Sequence, residues 1–234
     1  MGNSPEHTAI LFFSRSGPAE AKHKQFVSDS RKNSRVAHSL ITHSYQRAKQ
    51  ADLPVFHIDE QQQQGATFGE RFTHAFQQVF ECGYDYVISV GNDIPQMQTH
   101  HIKKAAQQLS SGQADVVLGP DADGGTWLMG YSRKAFSADD FRRLPWNTDR
   151  LLATILEQRN NIKIHQLERL SDIDDGRAFQ QFLHDKWISV SLTALIRRLR
   201  TILVAFTPHP STVSLFISQF FSHRANLLRA PPWG

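Results

Sequence analysis

Short apolar runs alternate along the chain with longer stretches in which apolar positions recur every three or four residues. Residues 8–13, Thr-Ala-Ile-Leu-Phe-Phe, predict a buried strand that Gly17-Pro18 breaks. Residues 30–51 set Val36, Leu40, Ile41 and Tyr45 at helical spacing, 53–58 predict a second strand, and Gln61 to Gln64 read as loop. Residues 68–82 carry Phe68, Phe72, Ala75, Phe76, Val79 and Phe80 on one helical face. Residues 86–90 predict a third strand ending at Gly91, 99–110 an amphipathic helix, and 115–119 a fourth strand. A glycine-rich turn at 123–125 leads to a fifth strand over 127–131. Residues 149–158 predict a helix, 162–164 a strand and 176–186 a helix. Strands alternating with helices predict an α/β fold with a mostly parallel sheet covered on both faces.

Beyond this alternation the pattern changes. Ile188, Leu192, Leu195, Ile196, Leu199, Ile202, Leu203 and Phe206 form one stripe, and Val213, Phe216, Ile217, Phe220 and Leu227 form a second after Pro208 and Pro210. These predict a helical appendage over 186–234, joined to a sheet domain over 1–185.

Charge sharpens that division. The 234 residues carry a formal net charge of +4, yet after Asp185 there are six cations and no acid. The body is therefore slightly acidic and the tail basic, which argues against nucleic acid as the partner of the body. The amphipathic tail suits cover for the sheet, a homodimer contact or a membrane surface. A single cysteine, Cys82, excludes a disulfide framework and a cysteine-rich zinc site; its place on a helical face reads as core rather than nucleophile. No run of 18 uncharged apolar residues exists and no signal pattern opens the chain, so a cytoplasmic protein is expected.

Ligands of open α/β sheets sit beyond the C-terminal strand ends, and acidic clusters follow three of the predicted strands. Gly91-Asn92-Asp93-Ile94-Pro95 follows the third, Gly119-Pro120-Asp121-Ala122-Asp123-Gly124-Gly125 the fourth, and Ser171-Asp172-Ile173-Asp174-Asp175 precedes the helix at 176. Each alone also suits a turn or a helix cap. Together they place like charges at one sheet edge, an arrangement that a cation offsets; Mg²⁺, which binds through one or two carboxylates and substrate phosphates, suits the role. Arg15, Lys22 and Lys24 follow the first strand and could receive a diphosphate, or form a solvated basic loop. Glu70-Arg71 begins a helix, where Arg71 could meet a phosphate or a buried acid. No Walker A, Gly-x-Gly-x-x-Gly or Gly-x-Ser-x-Gly sequence occurs. His100-His101 reads as an exposed pair rather than a metal site.

Read in order, Gln64-Gly65-Ala66-Thr67-Phe68-Gly69-Glu70-Arg71-Phe72, Gly91-Asn92-Asp93-Ile94-Pro95, the stretch from Leu118 to Gly130, Pro145-Trp146-Asn147-Thr148 and Leu170-Ser171-Asp172-Ile173-Asp174 resemble a bacterial family of GT-A-fold transferases once labelled a domain of unknown function. Its members are assigned as glycosyltransferases associated with radical-SAM/selenodomain or arsenosugar gene clusters. More distantly the set is similar to the guanylyltransferases of molybdenum-cofactor and phospholactate metabolism. The resemblance covers roughly residues 8–180.

The resemblance implies a nucleotide-diphospho-sugar transferase fold and a metal-dependent glycosyltransferase using a nucleotide-activated sugar and a small-molecule acceptor. By the same resemblance Asp93 takes the part of the metal-binding aspartate, with Asp174 and Asp172 supplying a second contact to Mg²⁺ or Mn²⁺. Asp123 with Gly124 and Gly125 falls near the acceptor or sugar, and Glu70, Arg71, Trp146 and Thr148 join the substrate-binding set with Arg15, Lys22 and Lys24. A nucleotidyltransferase acting on a nucleoside triphosphate, or a non-catalytic binding module, are the alternatives. One departure stands out: the family's Pro-x-x-Gly-x-x-Lys-Thr-Arg-Leu stretch reads here from Gly17 to Phe26 without the loop glycine or the Lys-Thr-Arg run. Lys22 or Lys24 is left to meet the donor phosphates.

Overall fold

The computed structural model describes residues 7–157, 162–184 and 190–205. The chain divides into two compact units, Met1–Ile202 and Leu203–Gly234, and among the described residues every strand belongs to the first. The expected boundary at 185/186 and the stripe from Val213 to Leu227 lie outside the described residues.

The strands are β1 (Thr8–Phe13), β2 (Val55–Ile58), β3 (Tyr86–Val90), β4 (Val116–Pro120), β5 (Thr126–Ser132) and β6 (Ile164–Gln166). The helices are α1 (Gly17–Glu20), α2 (Ser30–Lys49), α3 (Phe68–Glu81), α4 (Thr99–Ser110), α5 (Ala138–Arg142), α6 (Leu151–Glu157), α7 (Gly176–His184) and α8 (Val190–Val204). The six strands form one sheet in the order β2-β1-β3-β5-β4-β6. All pairings are parallel except those of β5, which runs against both β3 and β4. The mostly parallel α/β architecture read from the sequence is therefore the one observed.

Side chains of a strand point alternately to the two faces, so a sheet covered on both must be apolar at nearly every position. In β1, Ile10 and Phe12 join the core on one face while Ala9 and Leu11 join the other. The first face packs with Ile41, Ile102, Ala105 and Leu109 of α2 and α4. The second packs with Phe72, Phe76, Val79 and Phe80 of α3. Each helix has a local reason to start where it does. Asp29 Oδ1 accepts from the backbone N–H of Lys32 at 2.8 Å and caps α2. Thr67 and Glu70 close a reciprocal capping box on α3, satisfying N–H groups that the first turn leaves without partners.

Three details depart from the sequence reading. The first strand already ends at Phe13, and Gly17-Pro18 starts α1 instead: Ser16 caps it, and proline suits a first-turn position that needs no N–H. Cys82, expected in the core, is exposed, because α3 ends there and turns its C-cap outward. Only His100 of the His100-His101 pair is exposed; His101 is 4% exposed and packs edge-on against Trp127. In α8, Leu192, Leu195, Ile196, Leu199 and Ile202 are buried, and the Arg200 guanidinium donates to the Leu183 carbonyl at 2.7 Å. Among the described residues no helix is long and apolar enough to cross a membrane.

Candidate functional site

Because β1, β3, β4 and β6 run parallel, their C-terminal ends share one edge of the sheet, and the loops leaving them meet there. Backbone bonds lock these loops together. Leu170 N–H donates to Pro120 O at 3.1 Å, and Ile173 N–H donates to Asp93 O at 3.0 Å. Arg169 adds a bond to Asp121 O at 3.0 Å. The result is a cleft of about 700 Å³ with an acidic wall, a cationic loop and an aromatic rim.

Asp93, Asp121, Asp123, Asp172 and Asp174 all line the acidic wall. Asp123, Asp172 and Asp174 each present one carboxylate oxygen, all within 4.8 Å of one another. These are hard oxygen donors of the kind Mg²⁺ or Mn²⁺ takes. Asp93 faces the same wall through Lys24. The Lys24 ammonium donates to Asp93 Oδ2 at 2.6 Å and to Asp174 Oδ1, and lies 3.9 Å from Glu20 Oε1.

The charge balance follows from this crowding. Burial alone would depress the Lys24 ammonium, but Asp93 and Asp174 outweigh it and hold its pKa above the ordinary lysine value. Asp174 is held below the usual carboxylate range: burial opposes this, and the charge and hydrogen bond of Lys24, with a bond from Asp172, prevail. Asp172 moves the other way. Burial, its hydrogen bond to Asp174 and the negative charges of Asp174, Asp93 and Asp121 push it up to about 7. The two neighbouring carboxylates are thus driven in opposite directions, Asp172 up and Asp174 down.

The turn that carries Asp123 is built on Asp121 and two glycines. The buried Asp121 carboxylate accepts from the backbone N–H of Asp123 at 3.0 Å and of Gly125 at 2.7 Å. Gly124 has φ of +88°, and a Cβ there would lie 2.1 Å from the Asp149 carbonyl oxygen. Only glycine fits that left-handed, closely approached position.

From the first loop, Arg15 and Lys24 reach the cleft, Lys24 directly against the acidic wall, whereas Lys22 is exposed and does not line the cleft. Arg15 is steered by the buried Glu20 at 3.1 Å. The loop is anchored by Glu60, which accepts from Ser16 N–H at 2.7 Å and Ser16 Oγ at 2.5 Å. Arg71 lines the rim and donates to Ala66 O at 2.9 Å. Phe13, Phe68, Phe72 and Trp146 form the aromatic rim, with Thr148 beside them. Trp146 Nε1 donates to Phe141 O at 3.0 Å, which fixes its ring.

The cleft therefore gathers Asp93, Asp123, Asp172, Asp174, Arg15, Lys24, Arg71, Gly125, Trp146 and Thr148 from the residues singled out in the sequence. Glu70 does not line it: its carboxylate accepts from Ala66 N–H at 2.7 Å and Thr67 N–H at 3.1 Å and belongs to the α3 cap. Gly124 stands behind the wall and shapes the turn. Asp175, not Asp172 or Asp174, caps α7, accepting from Ala178 N–H at 2.8 Å, which leaves the earlier two free to face the cleft. Sequence reasoning missed Glu20 as a partner of Arg15 and Lys24. The signal was present in the four-residue spacing of Glu20 and Lys24, but it needed the short helix α1 to be recognised.

A second cluster, His100, His101 and Glu168, also falls within 4.8 Å. It is a poor metal site. His101 Nδ1 accepts from Gln98 N–H at 3.0 Å, so Nε2 carries the proton and donates to Glu168.

Residues 28–148 match the model of a family described as an uncharacterized protein conserved in bacteria (DUF2064). No curated protein matches the sequence. Among solved structures, the chain is similar to a protein from Desulfovibrio desulfuricans G20 whose assignment as a nucleotide-diphospho-sugar transferase is itself provisional. Identity is 23%, the TM-score is 0.73, and the match covers 85% of this chain and 97% of that one. Lower similarity extends to a homologue of Mycobacterium tuberculosis rv0371c from Mycobacterium sp. strain JC1, at 10% identity and TM-score 0.48 over 82% of this chain and 98% of that one. It extends also to a cytidylyltransferase from Leptospira borgpetersenii serovar Hardjo-bovis, at 12% identity and TM-score 0.45 over 87% and 99%. The fold is that of nucleotide-diphospho-sugar transferases, and the chain belongs to the DUF2064 family.

Proposed function

Starting from that family and fold, we propose that the chain is a metal-dependent transferase that takes a nucleotide-activated sugar as donor and a small hydroxylated molecule as acceptor. The observation that carries this reading is the meeting of Asp93, Asp123, Asp172 and Asp174, from the ends of three strands, in one cleft with Arg15 and Lys24. Isolated surface acids would repel one another for no gain; acids gathered in one cleft with two cations, one of them paired to the wall itself, are arranged for a ligand that carries both phosphate and metal.

In this reading Asp123, Asp172 and Asp174 hold Mg²⁺ or Mn²⁺, and Asp93 supports them from the β3 end. When bound, the ion supplies positive charge against the leaving nucleoside diphosphate. The chain's own groups do the rest. Arg15 and Lys24 bind the phosphate oxygens with charged N–H donors. Asp123, at the exposed end of the wall, orients the acceptor hydroxyl by accepting its hydrogen bond. The aromatic rim shields one side of the donor from water.

Nucleotidyl transfer from a nucleoside triphosphate would use the same carboxylates and differs in releasing pyrophosphate. A thermal-shift screen of nucleotide sugars and nucleoside triphosphates, with and without Mn²⁺, tests the reading. A ligand near one hundred times its Kd adds about 2.7 kcal/mol to apparent stability. A metal-dependent shift with a nucleotide sugar supports sugar transfer, and a shift with triphosphates together with pyrophosphate release supports nucleotidyl transfer. Absence of any shift with every nucleotide overturns both.

A further inference from the structure

Lys24 occupies an unusual place. Its ammonium is within hydrogen-bonding distance of Asp93 and Asp174, carboxylates from two different loops, with Glu20 close by, and its side chain is only 17% exposed. Asp174 is also one of the three carboxylates whose oxygens converge within 4.8 Å. The chain thus places a tethered monovalent cation on a carboxylate that a divalent ion in the cleft would also use. The two cannot both sit there without bringing like charges together.

We propose that Lys24 is an internal counter-ion of the acidic wall, which yields its place on Asp174 to a divalent metal only when a phosphate draws the ammonium away. This inference rests on the metal-binding reading of the cleft and adds a rule to it: metal and phosphate load together. Several features support the exchange. Lys24 has four flexible carbon–carbon bonds, and its ammonium can trade one oxygen acceptor for another at little cost in geometry. Glu20 remains compensated when Lys24 moves, because Arg15 is bound to its other oxygen at 3.1 Å. Asp93 stays anchored through its carbonyl by Ile173 N–H at 3.0 Å, so the wall need not rearrange. Until the exchange occurs, Lys24 relieves repulsion that would otherwise strain the loops. Linkage makes the effect reciprocal: whatever factor phosphate adds to metal affinity, metal adds to phosphate affinity.

The test counts free Mn²⁺ by electron paramagnetic resonance during titration of the full chain, with and without inorganic phosphate, for wild type, Lys24→Met and Lys24→Arg. No turnover is involved. Wild type should bind Mn²⁺ weakly alone and about tenfold more tightly with phosphate, a coupling of the ordinary size. Lys24→Met should bind Mn²⁺ about tenfold more tightly than wild type without phosphate, and phosphate should no longer help it. Lys24→Arg, which keeps the charge, should retain weak binding alone. If Lys24→Met does not fold, Lys24→Gln, which also removes the charge, takes its place in the same titration. Equal Mn²⁺ affinity in wild type and Lys24→Met, with no phosphate effect, overturns the counter-ion role and leaves the metal site standing. Weaker binding by Lys24→Met also overturns it. Failure of every protein to bind Mn²⁺, with or without phosphate, overturns the metal site and this inference together.

Discussion

The backbone N–H of Ile173 donates to the carbonyl oxygen of Asp93 at 3.0 Å, tying the loop after β6 to the loop after β3. Ile173 itself is 2% exposed, so its apolar side chain roots the acidic stretch while Asp172 and Asp174 on either side face the cleft. The alternation is that of an extended segment, in which neighbouring side chains point opposite ways.

Asp174→Asn tests the carboxylate wall with the smallest change of shape. It removes one of three converging oxygens' charges and one partner of Lys24. Mn²⁺ affinity should fall at least about tenfold, equivalent to ~1.4 kcal/mol, with an unaltered circular dichroism spectrum. Unchanged affinity in calorimetry would remove Asp174 from the metal set.

Gly124→Ala tests the turn behind Asp123. The left-handed φ of +88° and the 2.1 Å approach to Asp149 O leave no room for a methyl group. The substitution should cost about 2 kcal/mol or more in urea unfolding, and it should weaken ligand binding because Asp123 and Gly125 move with the turn. A stable variant with intact binding would show that the turn tolerates rearrangement.

Glu70 separates capping from ligand binding. Glu70→Ala should lower the unfolding midpoint, because it opens one side of the α3 capping box. Glu70→Gln should stay close to wild type, since glutamine can fill the same role. Nucleotide affinity should be alike in all three. A loss of affinity common to Ala and Gln would instead place the carboxylate against the ligand.

His43 predicts acid sensitivity. Burial pushes its imidazole down to about 4, Arg47 adds to the fall, and a bond to Pro95 O at 3.2 Å opposes it. The unfolded chain, near pKa 6.5, takes up this proton first. The contribution is complete above about pH 6.5 and is lost as pH falls toward 4, by an amount on the order of 2 kcal/mol. His43→Gln should flatten that part of the stability–pH curve in denaturant titrations. Parallel curves for the two proteins would contradict the assignment.

Much of the frame could be read from residue order. The apolar runs of β1, β3 and β4 and the phenylalanine stripe of α3 match their observed places because buried strands and amphipathic helices announce themselves by period. The acids after β3, β4 and β6 were visible for the same reason, as polar residues directly following strands. What stayed hidden depended on contacts distant in sequence. Nothing near Glu60 indicates that it anchors Ser16, and nothing near Lys24 indicates Asp174, 150 residues away. Cys82 misled because helical phase says which face a residue shares, not whether the last turn is covered. Glu70 looked chemical because a capping glutamate and a ligand-binding glutamate are the same residue at the same helix start.

Strand β5 begins at the edge where its neighbours finish. Thr126, Trp127 and Leu128 therefore enter the cleft as hydrogen-bonded sheet rather than as free loop, and Gly91 N–H is tied to Trp127 O at 2.7 Å. One flank of the chamber is held by the sheet's own hydrogen bonds. Much of the remaining lining is made by side chains from outside the sheet, Gln63, Phe68, Arg71, Trp146 and Thr148 among them. Exchanging those five side chains, not the acids, is the direct route to a changed diet.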